Sequence, residues 1–273
     1  MKILITGSSG FVGKHLLKKL TPKYQIVRYD LKNDQNILDE GLLHKKLKDV
    51  DVVIHLAAFI SVEESWRKPR EYFINNSLGT LSVIQNSIKA GVKKVIYFSS
   101  AAVKVKPLTP YALSKITGEN FIKLYSKNIK TVIVRPENIY GPGQEQSYGY
   151  VIHNFIKGIK EGKSVKIYGN GLQKRDFIYI DDVVSVIERI LEGDVSNEII
   201  SIGTGRETSI LNLAKTIGLI MKKKVTIDFE PKRPEPFRSV ANTESLESLG
   251  ISASKFANLK LGIQKLINIE YSG

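Results

Sequence analysis

Five short apolar runs, KILIT (2–6), QIVRY (25–29), DVVIH (51–55), KVIYFS (94–99) and TVIVR (131–135), alternate with longer stretches, notably 11–20, 72–90 and 111–127, whose apolar residues recur every three or four positions. Runs that stay apolar on consecutive residues suit strands covered on both faces, and such strands belong to parallel sheets. Alternating them with amphipathic helices predicts an α/β fold built on a doubly wound parallel sheet. After GPGQ (141–144) the order loosens into helix-like 150–161 and 182–192, strand-like VKIYG, DFIYI and EIISIG, and the proline-rich EPKRPEP (230–236). At 273 residues the chain exceeds the usual size of a single domain. A first domain over 1–145, re-entered around 181–205, and a smaller lobe over 146–273 are therefore expected.

Composition removes several classes of function. No apolar run approaches the roughly 18 residues that cross a bilayer, so no membrane partner is expected. MKILITG enters a strand pattern at once, which predicts no export and a cytoplasmic protein. Without cysteine there are no disulfides or thiolate sites, and His15, His44, His55 and His153 have no ligand spacing, so no metal is expected. The net charge of +14 raises nucleic acid as a partner. Only nine of the 41 cationic residues are arginine, however, and the lysines fall in short clusters such as KKL (18–20) and KKLK (45–48). That distribution reads as solvated helix faces, whose field favours small anionic ligands.

TGSSGFVG spaces Gly7, Gly10 and Gly13 between a strand and an amphipathic helix. Glycines there let the chain turn sharply and let backbone N–H groups approach a pyrophosphate at the helix N-terminus. Asp30 ends the next strand, where a carboxylate accepts hydrogen bonds from an adenosine ribose and repels a 2′-phosphate. NAD is thus favoured, although Arg28 and Lys32 flank Asp30 and keep NADP open. Further along, PYALSK places Tyr111 and Lys115 four residues apart after a proline, on one helical face. Taken alone, the pair is either packing or a phenol made acidic by an ammonium.

TGSSGFVG, HLAA (55–58), FSSAAV (98–103), PYALSK and RPENIYGPGQ (135–144) together resemble the extended short-chain dehydrogenase/reductase family, specifically its NAD-dependent nucleotide-sugar epimerases and dehydratases. IYGNGLQKRDFIYIDDV (167–183) and SIGTGRETSILNLA (201–214) carry the similarity across nearly the whole chain. The resemblance implies a Rossmann domain that holds NAD, a C-terminal lobe that holds a nucleoside-diphosphate sugar, and a homodimer. It implies Tyr111 as general base, Lys115 lowering the phenol's pKa and bonding the nicotinamide ribose, Ser100 on the reacting oxygen, and Asn76 supporting the active-site helix. Cofactor contacts are implied for Gly7, Gly10, Phe11, Val12, Gly13, Asp30, Asn36, Ile37, Leu56, Ala57, Ala58, Tyr111 and Lys115. Substrate contacts are implied for Ser100, Asn138, Tyr168, Arg175 and Arg233.

Several residues have a plainer reading. Arg175 could pair with Asp176 or Asp181, Arg233 could be a solvated charge, Tyr168 could be strand packing, and His55 reads as structural. The implied reaction is C4 epimerisation of a UDP-glucose or UDP-galactose type sugar through a 4-keto intermediate. Ala101 and Ala102 stand where a 4,6-dehydratase carries an Asp-Glu pair. A decarboxylase and a non-catalytic nucleotide- or RNA-binding relative remain alternatives. Only eleven positions separate Ser100 from Tyr111, about half the family's usual spacing, which shortens the loop that borders the sugar.

Overall fold

The β-branched runs form the strands expected of them. In the computed structural model, which describes residues 1–144 and 150–271, β1 (Lys2–Thr6), β2 (Gln25–Tyr29), β3 (Val52–His55), β4 (Lys94–Phe98), β5 (Lys130–Pro136) and the strand Glu198–Ile202 make one six-stranded sheet. Its order is Glu198–Ile202, β5, β4, β3, β1, β2. The pairings are parallel, with Ile3 opposite Ile26 and Val52, Val53 opposite Val95, and Ile96 opposite Val132. β3 and β4 are buried along their whole length, whereas β2, at the sheet edge, is only partly covered. The fold is a Rossmann-like α/β sheet flanked by helices. Leu4, Tyr29, Leu43, Val53, Val83, Val95 and Ile122 pack in one core cluster. Burying each such side chain contributes about 1.5–3 kcal/mol before entropy is counted.

Chain order reverses at β1: β2 lies on one side of it and β3 on the other. The carboxyl ends of β1 and β3 therefore flank the switch point, where open α/β sheets bind ligands. Helix Phe11–Leu20 follows β1, and helix Pro110–Leu124 precedes β5. The periodic stretch 72–90 is not one helix. A short helix Pro69–Tyr72 runs into a wide-wound π segment, Phe73–Leu78, before helix Gly79–Lys89 begins. Gly79 N–H reaches back to Ile74 O, the longer span that defines such a segment.

The chain divides into two compact units. One comprises Met1–Lys104, Leu108–Pro136 and Val184–Ser201; the other comprises Val105–Pro107, Glu137–Val183 and Ile202–Gly273. The boundary expected near residue 145 lies outside the described residues. In the second unit, Val165–Tyr168 pairs in parallel with Ile227–Glu230, and Lys174–Arg175 lies between Thr208–Ser209 and Arg238–Ser239. Among the described residues no helix is long and apolar enough to cross a membrane.

Candidate active site

The turn after β1 is built so that nothing larger than glycine fits at Gly7 or Gly13. Gly7 has φ +68°, and a Cβ on it would lie 2.8 Å from Ala57 N. A Cβ on Gly13 would lie 2.5 Å from Gly7 O and 2.7 Å from Ser8 O. Helix Phe11–Leu20 thus starts tight against the turn, with Gly10 at its N-cap and no side chain capping it. Ser8 Oγ is buried with no hydrogen-bond partner among the described residues. An uncapped helix start beside an unpartnered hydroxyl suits a pyrophosphate. Phe11 and Val12 are half-buried in the first helical turn, and Leu56, Ala57 and Ala58 are half-buried after β3, on the other side of the switch point.

Asp30 is buried at the end of β2, where its carboxylate accepts hydrogen bonds from Ser9 N–H at 2.7 Å and Lys32 N–H at 2.9 Å. A carboxylate has about four acceptor positions, so two remain for a ribose. The bond to Ser9 adds a task that the sequence did not reveal: Asp30 also holds the glycine turn. Asn36 is exposed and its Oδ1 accepts from Leu38 N–H, while Ile37 is only 4% exposed and joins the core cluster. The glycine cradle, the unpartnered Ser8 and the acid ending β2 together fit NAD.

Helix Pro110–Leu124 begins as its sequence predicts. Thr109 caps it by accepting from Ala112 N–H at 3.1 Å, and Pro110 occupies the first turn, where its missing N–H costs nothing. Tyr111 is 8% and Lys115 3% exposed. Ser100 stands close enough to the Tyr111 phenol to draw its pKa down, so the shortened loop still leaves serine and tyrosine within reach of each other. Burial pushes the Tyr111 pKa up, and Ser100 pulls against it. Lys115 is buried one turn after Tyr111. Its Nζ lies over the Tyr97 ring, 4.5 Å from the centroid, and burial lowers its own pKa to about 7 against the pull of Glu119.

A directed hydrogen-bond chain links the cofactor turn to this helix. Ala57 N–H donates to Thr6 Oγ1 at 3.2 Å, Thr6 Oγ1 is 2.7 Å from His55 Nδ1, and His55 Nε2 is 3.0 Å from Thr80 Oγ1. Thr80 spends its proton on Asn76 O, so it accepts from His55 Nε2–H, and Nδ1 in turn accepts from Thr6. Burial and the Lys115 charge lower the His55 pKa to about 3, which keeps the ring neutral, and the bonds to Thr6 and Thr80 fix its tautomer. Asn76, in the π segment, donates to Ser114 Oγ at 3.0 Å and Phe59 O at 2.9 Å, and Ser114 donates to the Tyr111 carbonyl at 2.7 Å. His55 is thus enclosed between two threonines, and Asn76 is bonded to the helix through Ser114.

Sequence reasoning missed what lies one turn further on. Glu119 accepts from Arg135 Nε at 2.7 Å, Arg135 NH2 at 2.5 Å and Ser99 Oγ at 2.6 Å. Its spacing, four residues after Lys115 and eight after Tyr111, was the available signal.

In the second unit, Asn138 donates from its backbone N–H (3.1 Å) and Nδ2 (2.8 Å) to Asp176 O. The ion pairs considered for Arg175 do not form: its guanidinium pairs with Glu235 and donates to Lys174 O at 2.9 Å. Asp176 is fully buried instead, accepting from Thr204 N–H and Oγ1, Gly205 N–H and Ala241 N–H. Arg233 is exposed, as a solvated charge would be, and its Cζ lies 3.5 Å from the Tyr168 ring centroid. Tyr168, Arg175 and Arg233 are thus gathered into one cluster, with Asn138 tied to the residue after Arg175.

Residues 3–203 match the NAD dependent epimerase/dehydratase family. The chain belongs to that family. NAD is accordingly its cofactor, and the resemblance drawn from the motifs to extended short-chain dehydrogenase/reductases holds. A putative UDP-glucose 4-epimerase of Methanocaldococcus jannaschii is 32% identical, covering 97% of this chain and 97% of its own. A UDP-N-acetyl-alpha-D-glucosaminuronate decarboxylase of Bacillus cytotoxicus is 31% identical over 88% of each chain. Among solved structures, UDP-glucose 4-epimerase of Thermotoga maritima with UDP-glucose superposes with a TM-score of 0.90 at 29% identity, covering 98% of each chain. Relatives in this epimerase/dehydratase family thus differ in the reaction they are named for.

Proposed function

We propose that the protein is an NAD-dependent nucleotide-sugar 4-epimerase, acting on UDP-glucose, UDP-galactose or a near relative. The observation that carries this reading is the buried Tyr111, on a helix tied by hydrogen bonds to the cofactor turn, with the half-buried Ser100 acting on its phenol. NAD held at the turn supplies the hydride acceptor and donor and a positive charge that favours the phenolate. Tyr111 takes the proton of the sugar C4 hydroxyl and later returns it, and Ser100 bonds the same oxygen in both directions. Burial alone would keep the phenol protonated, so the pull of Ser100 serves the chemistry as well as the geometry. Lys115, over Tyr97, serves the nicotinamide ribose and holds the helix face. Inversion follows if the planar 4-keto sugar presents its other face before the proton and hydride return. The nucleotide must then be anchored while the sugar turns, a task we assign to Asn138, Tyr168, Arg175 and Arg233.

Ala101 and Ala102 follow Ser100 without the acid pair expected of a dehydratase, which favours epimerisation over dehydration. Exposed Leu78, Leu113 and Leu124 on the first unit suit a homodimer, which sedimentation would test. A cytoplasmic setting accords with a chain that has no cysteine. The deciding experiment incubates purified protein with UDP-glucose, UDP-galactose, their N-acetyl forms and dTDP-glucose without added cofactor, and separates C4 epimers by chromatography. Interconversion of at least one pair is expected; conversion only to a decarboxylated or dehydrated product would overturn the reading.

A further inference from the structure

The segment 231–237 of the second unit is tethered at both ends to the strands that carry Tyr168 and Arg175. Ile227–Glu230, just before it, pairs with Val165–Tyr168, and Arg238–Ser239, just after it, pairs with Lys174–Arg175. Between those anchors, Pro231 to Pro234 are exposed. The segment turns tightly, with Glu235 N–H donating to Arg233 O at 2.9 Å, and reaches back through two side chains. Glu235 Oε2 takes the Arg175 guanidinium while its Oε1 accepts from Gln173 Nε2 at 3.2 Å. Gln173 Nε2 also donates to Tyr168 O at 2.9 Å, so carboxylate, amide, tyrosine and arginine form one closed cluster. Arg233, two residues before Glu235, has its Cζ over the Tyr168 ring, 3.5 Å from the centroid.

These two contacts have the chemistry of a bound nucleotide. A carboxylate and a phosphate present the same pair of oxygens to an arginine fork, and an aromatic face accepts a planar guanidinium as it accepts a planar base. We propose that segment 231–237 is a built-in competitor for the nucleotide: a nucleoside diphosphate binds by displacing Glu235 from Arg175 and lifting Arg233 from Tyr168, after which both arginines are free to meet the diphosphate. The cluster is held shut by its own charges until a ligand with enough negative charge exchanges for the carboxylate. Glu235 then acts as a positioning and selectivity residue, raising the charge a ligand must bring. The inference rests on the proposed reading of Arg175 as a diphosphate contact.

The test is calorimetric titration of the NAD-loaded protein with UDP, comparing wild type, Glu235→Gln, Arg175→Met and the double variant. The Glu235→Gln substitution keeps the shape of the side chain and removes the competing charge. A partly exposed, charge-assisted pair of this kind sets an expected tightening of UDP binding by Glu235→Gln of about threefold to tenfold. Arg175→Met should weaken binding, and the gain from Glu235→Gln should vanish in its background. Unchanged or weaker UDP binding by Glu235→Gln, with Arg175→Met still weakening it, overturns the competitor and leaves the Arg175 reading standing. A gain that persists without Arg175 also overturns it. Unchanged binding by Arg175→Met overturns both. Glu235→Asp, which keeps the charge, should bind like wild type, and circular dichroism of each variant excludes a folding defect.

Discussion

Replacing Glu119 by alanine tests how the buried charge pair on the Tyr111 helix is held. The Glu119 side chain is 3% exposed and takes three short hydrogen bonds, two from Arg135 and one from Ser99. Removing it strands the Arg135 guanidinium, whose side chain is 16% exposed. Losing one partner of a buried pair costs about 3–5 kcal/mol, because the survivor stays desolvated without compensation. Water reaches Arg135 in part, so the expected loss is about 2–4 kcal/mol. In a chain of this size that lowers the melting temperature by roughly 3–7 °C. Urea unfolding followed by circular dichroism measures it.

Replacing Glu119 by leucine and Arg135 by methionine together removes both charges and should return stability to within about 1 kcal/mol of wild type. The acid dependence has a definite sign. Burial pushes the Glu119 carboxyl up, but the bonds from Arg135 and Ser99 outweigh it, and the folded pKa is lowered. Its contribution is therefore complete above the unfolded carboxyl's pKa and lost as the pH falls through the lower folded one. The deficit of Glu119→Ala should accordingly shrink in that acid range. A loss below about 1 kcal/mol at pH 7, or a double variant as unstable as the single one, would refute the reasoning.

Tyr111→Phe should abolish epimer formation while NAD stays bound; near-normal turnover would remove the base assignment. Asp30→Ala should weaken NAD binding by about tenfold or more, since it removes both a ribose acceptor and the anchor of Ser9. An unchanged NAD/NADP preference, measured by cofactor titration, would count against the ribose contact. His55 has a folded pKa of about 3 against an ordinary 6.5. Between those values the unfolded chain binds a proton that the folded one does not, so stability rises with pH by about 1.4 kcal/mol per unit from this group. Urea unfolding of His55→Gln between pH 4 and 7 should show a correspondingly flatter slope, and an unaltered slope would show that the ring is not held neutral.

Much of the sheet was legible because its inner strands, β3 and β4 above all, are covered on both faces and therefore read as unbroken apolar runs. The helix carrying Tyr111 was legible to within a few residues, because Thr109 and Pro110 are local signals for a helix start. The stretch 72–90 misled, since apolar periodicity does not register the wider winding at Phe73–Leu78. Asn76 there turns its side chain to Ser114 and Phe59, a choice made by partners 38 and 17 residues away. Lys115 illustrates the same limit. Four-residue spacing put it on the Tyr111 face, but only the packed neighbours show its ammonium over Tyr97.

The amino-acid order by itself determined the parallel α/β sheet, the glycine turn, the acid that ends β2 and the presence of a Tyr-Lys pair, because each depends on local conformation or on periodicity. Tertiary structure decided which charges meet: Arg135 with Glu119, Arg175 with Glu235 rather than with the adjacent Asp176, and His55 held neutral between two threonines. The reason is that Coulomb and hydrogen-bond energies depend on distance and burial, and residues 60 positions apart, as Arg175 and Glu235 are, acquire both only once the chain has folded.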